Sequence, residues 1–232
     1  MNLTPLLVLL QGTVEEGTMN MLVRYFNEGG DFMWPILVCL VLGLAIFLER
    51  LISLNLADIN TRKFIVKVKD ALEQGGVDAA LEVCAKTRGP VASIFQAGLL
   101  RVNEGIEAVE KAVISYGAIE MSFLERGLVW ISLFISIAPM LGFLGTVIGM
   151  VQAFDAIERA GDISPSLVAG GIKVALLTTV FGLIAAIILQ FAYNYCTSKI
   201  DRIVLDMDEA SIELIDTLVL MQQGKSVKEA KA

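Results

Sequence analysis

The sequence of 232 residues contains no histidine and only three cysteines. A catalytic triad built on histidine is therefore excluded, and a zinc site would lack most of its usual ligands. Cys39, Cys84 and Cys196 show no CxxC spacing, and their odd number gives no disulfide framework. Neither a phosphate-binding P-loop nor a GxSxG nucleophile motif occurs. The sequence thus predicts neither an enzyme nor a bound metal or cofactor.

Basic residues are also scarce. The chain has 18 Lys and Arg against 25 Asp and Glu, which gives a formal net charge of −7. Nucleic-acid-binding domains usually carry a clustered basic surface, because they must neutralise phosphates. We therefore expect no nucleic-acid partner.

Long uncharged runs are what the sequence has in excess. Hydrophobic residues make up 56% of the chain, above the roughly 45–50% of soluble domains, and the mean hydropathy is +0.71. The excess is concentrated in residues 32–48, 127–154 and 174–198, none of which contains a charged side chain. As helices, these runs and their flanking turns are long enough to cross a hydrocarbon core of about 30 Å. No strand alternation is evident, so the sequence predicts an all-α integral membrane protein with three transmembrane helices.

Lys and Arg are distributed unevenly between the segments that these spans separate. Residues 57–126 carry nine, whereas the stretch before the first span has only Arg24 and the loop after the second has only Arg159. The positive-inside rule therefore places the N-terminus and that loop outside, and the middle region and tail in the cytoplasm. The predicted segments are an outer N-terminus with a short amphipathic helix (1–31), the first span (32–56), a cytoplasmic helical region (57–126), the second span (127–154), an outer loop (155–166), the third span (167–198), and a cytoplasmic C-terminal helix and tail (199–232).

The second and third spans are expected to continue into the cytoplasm as a helical stalk. The middle region has breaks at Gly75-Gly76, Gly89-Pro90 and Gly105, but Ile106–Phe154 contains only lone glycines before the membrane. We therefore expect one helix there, on the order of 70 Å long. In the tail, apolar residues recur near a helical period. They are Ile200, Val204, Met207, Leu214, Leu218 and Met221.

Small and hydroxyl residues form a stripe on each of these two spans at 100° per residue. On the second span they are Gly142, Thr146, Gly149 and Ala153, and Gly145 forms a GxxxG pair with Gly149. On the third span they are Ala175, Thr179, Gly182, Ala186 and Gln190. Such stripes indicate either close helix packing or a narrow passage lined by hydroxyl groups, and the two interpretations are compatible.

Two further residues in the spans each have two interpretations. Pro139 frees a carbonyl near Ile135 and is expected to bend the second span, either as a tolerated packing kink or as a hinge on a pathway. Lys173 is the charged residue at the start of the third span. It either extends to the outer interface or takes part in an outer mouth.

The two spans also carry recognisable motifs. The runs IAPMLGFLGTVIGM at 137–150 and GIKVALLTTVFGLIAAI at 171–187 closely resemble the signature of the MotA/TolQ/ExbB proton channel family. The order of segments agrees over nearly the whole chain. Three spans rather than four favour the ExbB and TolQ branch, and the sequence most resembles ExbB.

This resemblance implies a homopentamer in the bacterial inner membrane, with a periplasmic N-terminus and a cytoplasmic C-terminus. The pentamer would surround a dimer of an ExbD- or TolR-like single-span partner, which supplies a membrane aspartate. Proton passage through that aspartate would turn the dimer and energise a TonB-like protein that drives uptake across the outer membrane. The family motif implies that Thr146 and Thr179 line the proton path. Many members have a glutamate where this chain has Val174, so an acidic relay at that level is not expected.

Three alternatives stay open at the level of sequence. The chain could serve a TolQ-like motor that maintains the envelope, it could be a non-conducting scaffold for the single-span partner, or the transported ion could be sodium.

Overall fold

The structure, a computed structural model, describes residue 17, residues 20–161 and residues 165–223. Every regular element in these residues is helical. The elements are α1 (residues 17 and 20–28), α2 (Met33–Ala57), α3 (Thr61–Lys86), α4 (Pro90–Leu99), a 3₁₀ turn (Val102–Glu104), α5 (Ile106–Glu125), α6 (Leu128–Ala160) and α7 (Pro165–Gln222).

Three helical stretches are long and apolar enough to cross a membrane. Their most apolar 18-residue windows lie within Met33–Lys86, Ile106–Ala160 and Val168–Gln222 and have mean hydropathies of 2.4, 2.1 and 2.5. Only 17–33% of the residues in these windows are buried inside the chain. The prediction of an all-α protein with three spanning helices is confirmed, and the exposed apolar faces suit contact with lipid or with other subunits.

The chain divides into two compact units, of which the first comprises residues 1–46 and 130–192. Its described part contains α1, most of α2, and the apolar portions of α6 and α7. Its core is small: Ile36, Cys39, Ala138 and Ala185 are buried against partly buried aromatic and aliphatic neighbours. Gly30, with φ of +74°, lies between α1 and α2.

The second unit comprises residues 47–129 and 193–232 and has the larger core. Phe95 of α4 is 1% exposed, and its ring meets that of Phe64 at a centroid distance of 5.2 Å. Leu72 of α3, Val109 of α5 and Leu214 of α7 close the same cluster. This unit therefore has an ordinary close-packed helical core, assembled from the middle region and the C-terminal half of α7.

The prediction of one unbroken helix over Ile106–Phe154 is wrong. Helix α5 ends at Glu125, and α6 begins at Leu128. Gly127 between them has φ of +92°, a left-handed conformation that glycine adopts without steric cost. By contrast, α7 runs without interruption for 58 residues, about 87 Å, through all the periodic residues of the tail that were predicted to be helical.

The glycine breaks predicted in the middle region are present. Gly76, Gly89 and Gly105 all have positive φ, and Gly76 divides α3 into two helical segments at a kink. The segment predicted to be an outer loop, residues 155–166, is described only in part, because residues 162–164 lie outside the described residues.

Candidate functional site

Helices α6 and α7 approach each other most closely where glycines face backbone. A Cβ atom added to Gly182 would lie 2.6 Å from the carbonyl oxygen of Ala138, and one added to Gly142 would lie 2.9 Å from that of Thr178. Distances this short are not found for real Cβ contacts, so only glycine fits at these two positions. The small residues allow the two backbones to touch, as in membrane helix pairs that lack a hydrophobic driving force.

The same seam continues along both helices. A Cβ on Gly149 would be 2.9 Å from the carbonyl oxygen of Gly171, and a Cβ on Gly171 would be 2.6 Å from that of Gly149. A Cβ on Gly145 would be 2.5 Å from the Thr178 hydroxyl oxygen. All four glycines singled out in the sequence therefore lie where the two helices meet.

At three positions the buried residue is the neighbour of the one in the predicted stripe. Gly145 rather than Thr146 is buried on α6, and Thr178 rather than Thr179 is buried on α7. Gln190 is exposed, whereas Leu189 is fully buried. Sequence reasoning missed Thr178, although the adjacent pair of threonines could have indicated that one packs and the other remains accessible.

The three threonine hydroxyls differ in their surroundings. Thr178 is fully buried and donates to the carbonyls of Val174 and Ala175 in its own helix, at 3.2 and 2.9 Å. Thr179 is half-buried and donates both to Ala175 and, across the seam, to the carbonyl of Gly142, each at 3.3 Å. Thr146 is half-buried too, and donates to the carbonyl of Phe143 at 2.6 Å.

These bonds determine what the accessible hydroxyls can do. A hydroxyl that donates to a carbonyl still has lone pairs with which to accept a hydrogen bond. Thr146 and Thr179 are thus placed to accept from a water molecule or from a protonated acid. The Thr178 hydroxyl also has free lone pairs, but its side chain is fully buried against Gly145 of the facing helix.

Pro139 lies inside α6, which is helical on both sides of it. Having no N–H, it cannot donate to the carbonyl of Ile135 one turn earlier. Its neighbour Ala138 is fully buried, with its carbonyl against Gly182. The proline therefore lies immediately beside the seam.

Lys173 is held by an acid from α1. Its ammonium nitrogen lies 2.8 Å from Oε2 of Glu28, an ion pair without hydrogen-bond geometry, and Arg24 lies 3.9 Å from the other oxygen of that carboxylate. The Glu28 and Lys173 side chains are 33% and 51% exposed. Sequence reasoning did not find this pair, because no local pattern connects residues so far apart in the chain.

The described residues offer no obvious place for a metal. Within residues 20–161 and 165–223, no group of three or more Cys, Asp or Glu side chains lies close enough together to hold an ion. The chemistry available at the seam is that of hydroxyl groups and backbone carbonyls.

Comparison with known proteins identifies the family. The sequence model of the MotA/TolQ/ExbB proton channel family matches residues 86–209, which are more than half of the chain and include all of the seam. The chain belongs to this family. It is therefore related to membrane proton channels rather than to enzymes, and its three apolar helices fit a multi-pass protein of the inner membrane.

Individual relatives agree with this assignment. The chain is 35% identical to a biopolymer transport protein ExbB homologue of Methanothermobacter thermautotrophicus over 77% of its own length and 64% of the relative's. It is 36% identical to the Tol-Pal system protein TolQ of Haemophilus influenzae over 46% of its length and 47% of the relative's. The chain thus spans less than two thirds of the length of these two relatives.

A solved structure shows the same fold. The structure of C. jejuni MotAB matches 99% of this chain and 92% of its own, with a TM-score of 0.59 and 15% sequence identity. At that identity the likeness concerns the arrangement of helices alone.

Proposed function

We propose that this chain is the stationary, channel-forming subunit of a proton-driven motor, most similar in role to ExbB. With an ExbD-like partner it converts proton motive force into mechanical energy for TonB-dependent transport across the outer membrane. Family membership and the resemblance of both motif runs to ExbB support the proposal. In this assignment the N-terminus is periplasmic and the C-terminus cytoplasmic, as the distribution of Lys and Arg favours.

The need for a partner follows from the chemistry of the spans. Residues 127–154 and 174–198 contain no acid and no histidine, whereas proton transfer through a membrane requires a titratable group or a chain of water. A single-span partner of the ExbD or TolR type supplies an aspartate beside Thr146 and Thr179. Five copies of this chain surround the partner dimer and leave those hydroxyls on the inner wall.

Protonation of that aspartate couples ion flow to movement. A charged carboxylate at the centre of a bilayer costs about 3 kcal/mol or more, and its protonation removes most of that cost. Once neutral, the acid donates a hydrogen bond to a threonine oxygen, and once ionised it has no proton to donate and can only accept. The preferred position of the partner helix therefore changes with each proton, which turns it relative to the surrounding subunits.

The observation that carries the assignment of the pathway is the contrast between adjacent threonines. Thr178 is sealed in the seam, whereas Thr179 is accessible while its proton is donated across the seam to Gly142. The Thr178 hydroxyl is confined to its own helix, whereas the Thr179 hydroxyl bonds the facing helix and still presents lone pairs to whatever lies outside the pair.

Valine substitutions test this assignment, because valine keeps the shape of threonine and removes the hydroxyl. We expect Thr146→Val and Thr179→Val each to lower proton flux through the complex with its partner about tenfold, the value of one hydrogen bond to a charged or strongly polar group. Thr178→Val is the matched control, since its hydroxyl bonds only its own helix. Flux is measured in liposomes with a pH-sensitive dye. Unchanged flux in the double variant of Thr146 and Thr179 would rule out this pathway.

A TolQ-like role is the second candidate, and the identity of 36% to TolQ over 46% of the chain favours it. The two roles are distinguished by complementation. Rescue of TonB-dependent uptake supports the ExbB-like role, whereas rescue of envelope integrity alone supports the TolQ-like role. Replacing sodium by potassium at fixed pH in the flux measurement tests the sodium-driven alternative.

A further inference from the structure

A cavity of about 350 Å³ opens in the second unit between the end of α2, the start of α4 and the end of α5. Polar and charged side chains line one part of it, and apolar side chains line the rest. Its lining includes Arg50, Ser53, Leu56, Arg88, Glu120 and Phe123. The volume is within the range of small-molecule sites.

The two arginines differ in how they are held. The Arg50 side chain is only 13% exposed, with its guanidinium 2.8 Å from the Glu49 carboxylate and 3.5 Å from the carbonyl of Phe123. Arg88 is exposed at the rim, and its side chain makes no ion pair or hydrogen bond with any of the described residues. The cavity therefore presents one anchored cation and one that is available to an anion.

An acid completes the polar part. Glu120 of α5 lines the cavity, is half-buried, and has no ion pair with any residue in the described part of the chain. Since Glu49 already balances Arg50, the unpaired charges that remain are one cation, Arg88, and one anion, Glu120. A ligand that complements both must itself carry a negative and a positive group.

The apolar part and its place in the sequence indicate the source of such a ligand. The uncharged run of the first span ends at Leu48, two residues before Arg50, and α6 begins four residues after Leu124. Leu56 and Phe123 line the cavity and are 70% and 56% exposed. The lining residues thus lie in the chain just beyond the apolar runs of two spans, and the ends of spans are where a chain meets lipid headgroups.

We propose that this cavity binds the headgroup of an aminophospholipid of the phosphatidylethanolamine type. The phosphate lies against Arg88, with the guanidinium of Arg50 behind it, and the primary ammonium group donates to Glu120. The acyl chains pass over Leu56 and Phe123 into the bilayer. A guanidinium paired with a phosphate and an ammonium paired with a carboxylate are both charge-assisted contacts, which are about twice as strong as neutral hydrogen bonds.

The test is lipid retention by the purified protein. The protein is equilibrated in mixed micelles with equal amounts of phosphatidylethanolamine, phosphatidylglycerol and phosphatidylcholine of identical acyl chains, and retained lipid is measured by native mass spectrometry. We expect phosphatidylethanolamine to be retained preferentially, because the glycerol headgroup lacks a cation and the choline headgroup cannot donate a hydrogen bond. Inorganic phosphate, added as a separate competitor, is expected not to displace it.

Two substitutions with matched controls separate the two contacts. Arg88→Ala should lower retention of phosphatidylethanolamine about tenfold, whereas Arg101→Ala, which removes a surface arginine paired with Glu104, should not. Glu120→Gln should abolish the preference for phosphatidylethanolamine over phosphatidylglycerol, whereas Glu110→Gln on the exposed face of the same helix should preserve it. Circular dichroism and thermal unfolding establish that each variant is folded.

The outcomes decide the proposal without reference to proton flux. Equal retention of the three lipids, or unchanged retention in Arg88→Ala, overturns it. Preferential retention of phosphatidylglycerol with no effect of Glu120→Gln also overturns it and indicates a site for negative charge alone. Displacement by millimolar inorganic phosphate would show that the cavity selects a free anion rather than a lipid.

Discussion

At the scale of single residues, the seam between α6 and α7 depends on positions that tolerate no side chain. Gly182 and Gly142 face backbone atoms, which cannot move aside as the end of a flexible side chain can. Of the threonines beside them, Thr178 is buried in the seam, whereas Thr146 and Thr179 are partly exposed. A substitution at the seam is therefore expected to act either on stability or on function, depending on which of these residues it changes.

Gly182→Ala is predicted to destabilise the protein. The added methyl group would lie 2.6 Å from the carbonyl oxygen of Ala138, so the helices must separate, at a cost of about 1–3 kcal/mol for overpacking. Gly170→Ala is the control on the same helix. A Cβ there has no neighbour within 4 Å, and replacing a helical glycine stabilises by about 0.5–1 kcal/mol. Thermal unfolding in detergent measures both, and equal melting temperatures for the two variants would contradict the packing of the seam.

Cys84 gives a prediction that depends on pH. It is 1% exposed, and burial raises the pKa of its thiol to about 11 from the ordinary value of 9.0. Because the thiolate is the reactive form, we expect iodoacetamide at pH 8 to label Cys84 only after unfolding.

The raised pKa of Cys84 also makes the stability of the folded protein depend on pH. Above pH 9 the unfolded chain loses this proton before the folded one, so stability falls between about pH 9 and 11.

The sequence identified the seam residues but not which of two neighbours faces inward. Residues 178 and 179 differ by only 100° around the helix, and a stripe of small residues is broad enough to include either. The partner of Lys173 was beyond sequence reasoning for a different reason. Glu28 lies on another helix, and its approach depends on the turn at Gly30.

At the scale of elements, the clearest difference from expectation is the break between α5 and α6. The sequence gives little warning of it, because Gly127 is a lone glycine with no proline beside it, and Gly117 in the same pattern stays helical. The difference lies in the surroundings. A Cβ on Gly127 would lie 2.9 Å from Nε of Arg50, whereas one on Gly117 would make an ordinary contact of 3.9 Å with Ile94.

These surroundings make Gly127→Ala a test of the break. Alanine is strained at φ of +92° and would displace Arg50, so we expect a loss of about 1–3 kcal/mol in the free energy of unfolding. Gly117→Ala should be neutral or slightly stabilising. Denaturant unfolding followed by circular dichroism measures both. A neutral Gly127→Ala variant would mean that α5 and α6 can join into the continuous helix that the sequence indicates.

The remaining elements were predictable because their signals are local. Uncharged runs gave the three spans, since a bilayer selects strongly for apolar length. Gly76, Gly89 and Gly105 marked turns that glycine permits. The unbroken α7 followed from the helical period of its apolar residues, the most heavily packed of which, such as Met207 and Leu214, lie in the core of the second unit.

At the scale of the whole molecule, the described chain exposes many large apolar side chains that do not pack within a single copy. Large side chains such as Phe143, Leu176 and Phe191 are more than 60% exposed along the apolar helices. Together with the absence of acids from the second and third spans, this favours a subunit that works inside an assembly. Family membership follows from the motifs themselves, whereas the identity of the partner depends on chains that the sequence does not contain.

A proton path whose wall is this chain and whose acid comes from a partner is the central proposal. It is tested most directly by proton flux into liposomes containing the purified chain, alone and together with an ExbD-like single-span protein, under an imposed pH gradient and membrane potential. We expect background flux for the chain alone, and a marked increase with the partner that is lost when the partner's membrane aspartate is replaced by asparagine. Equal flux with and without the partner would contradict it.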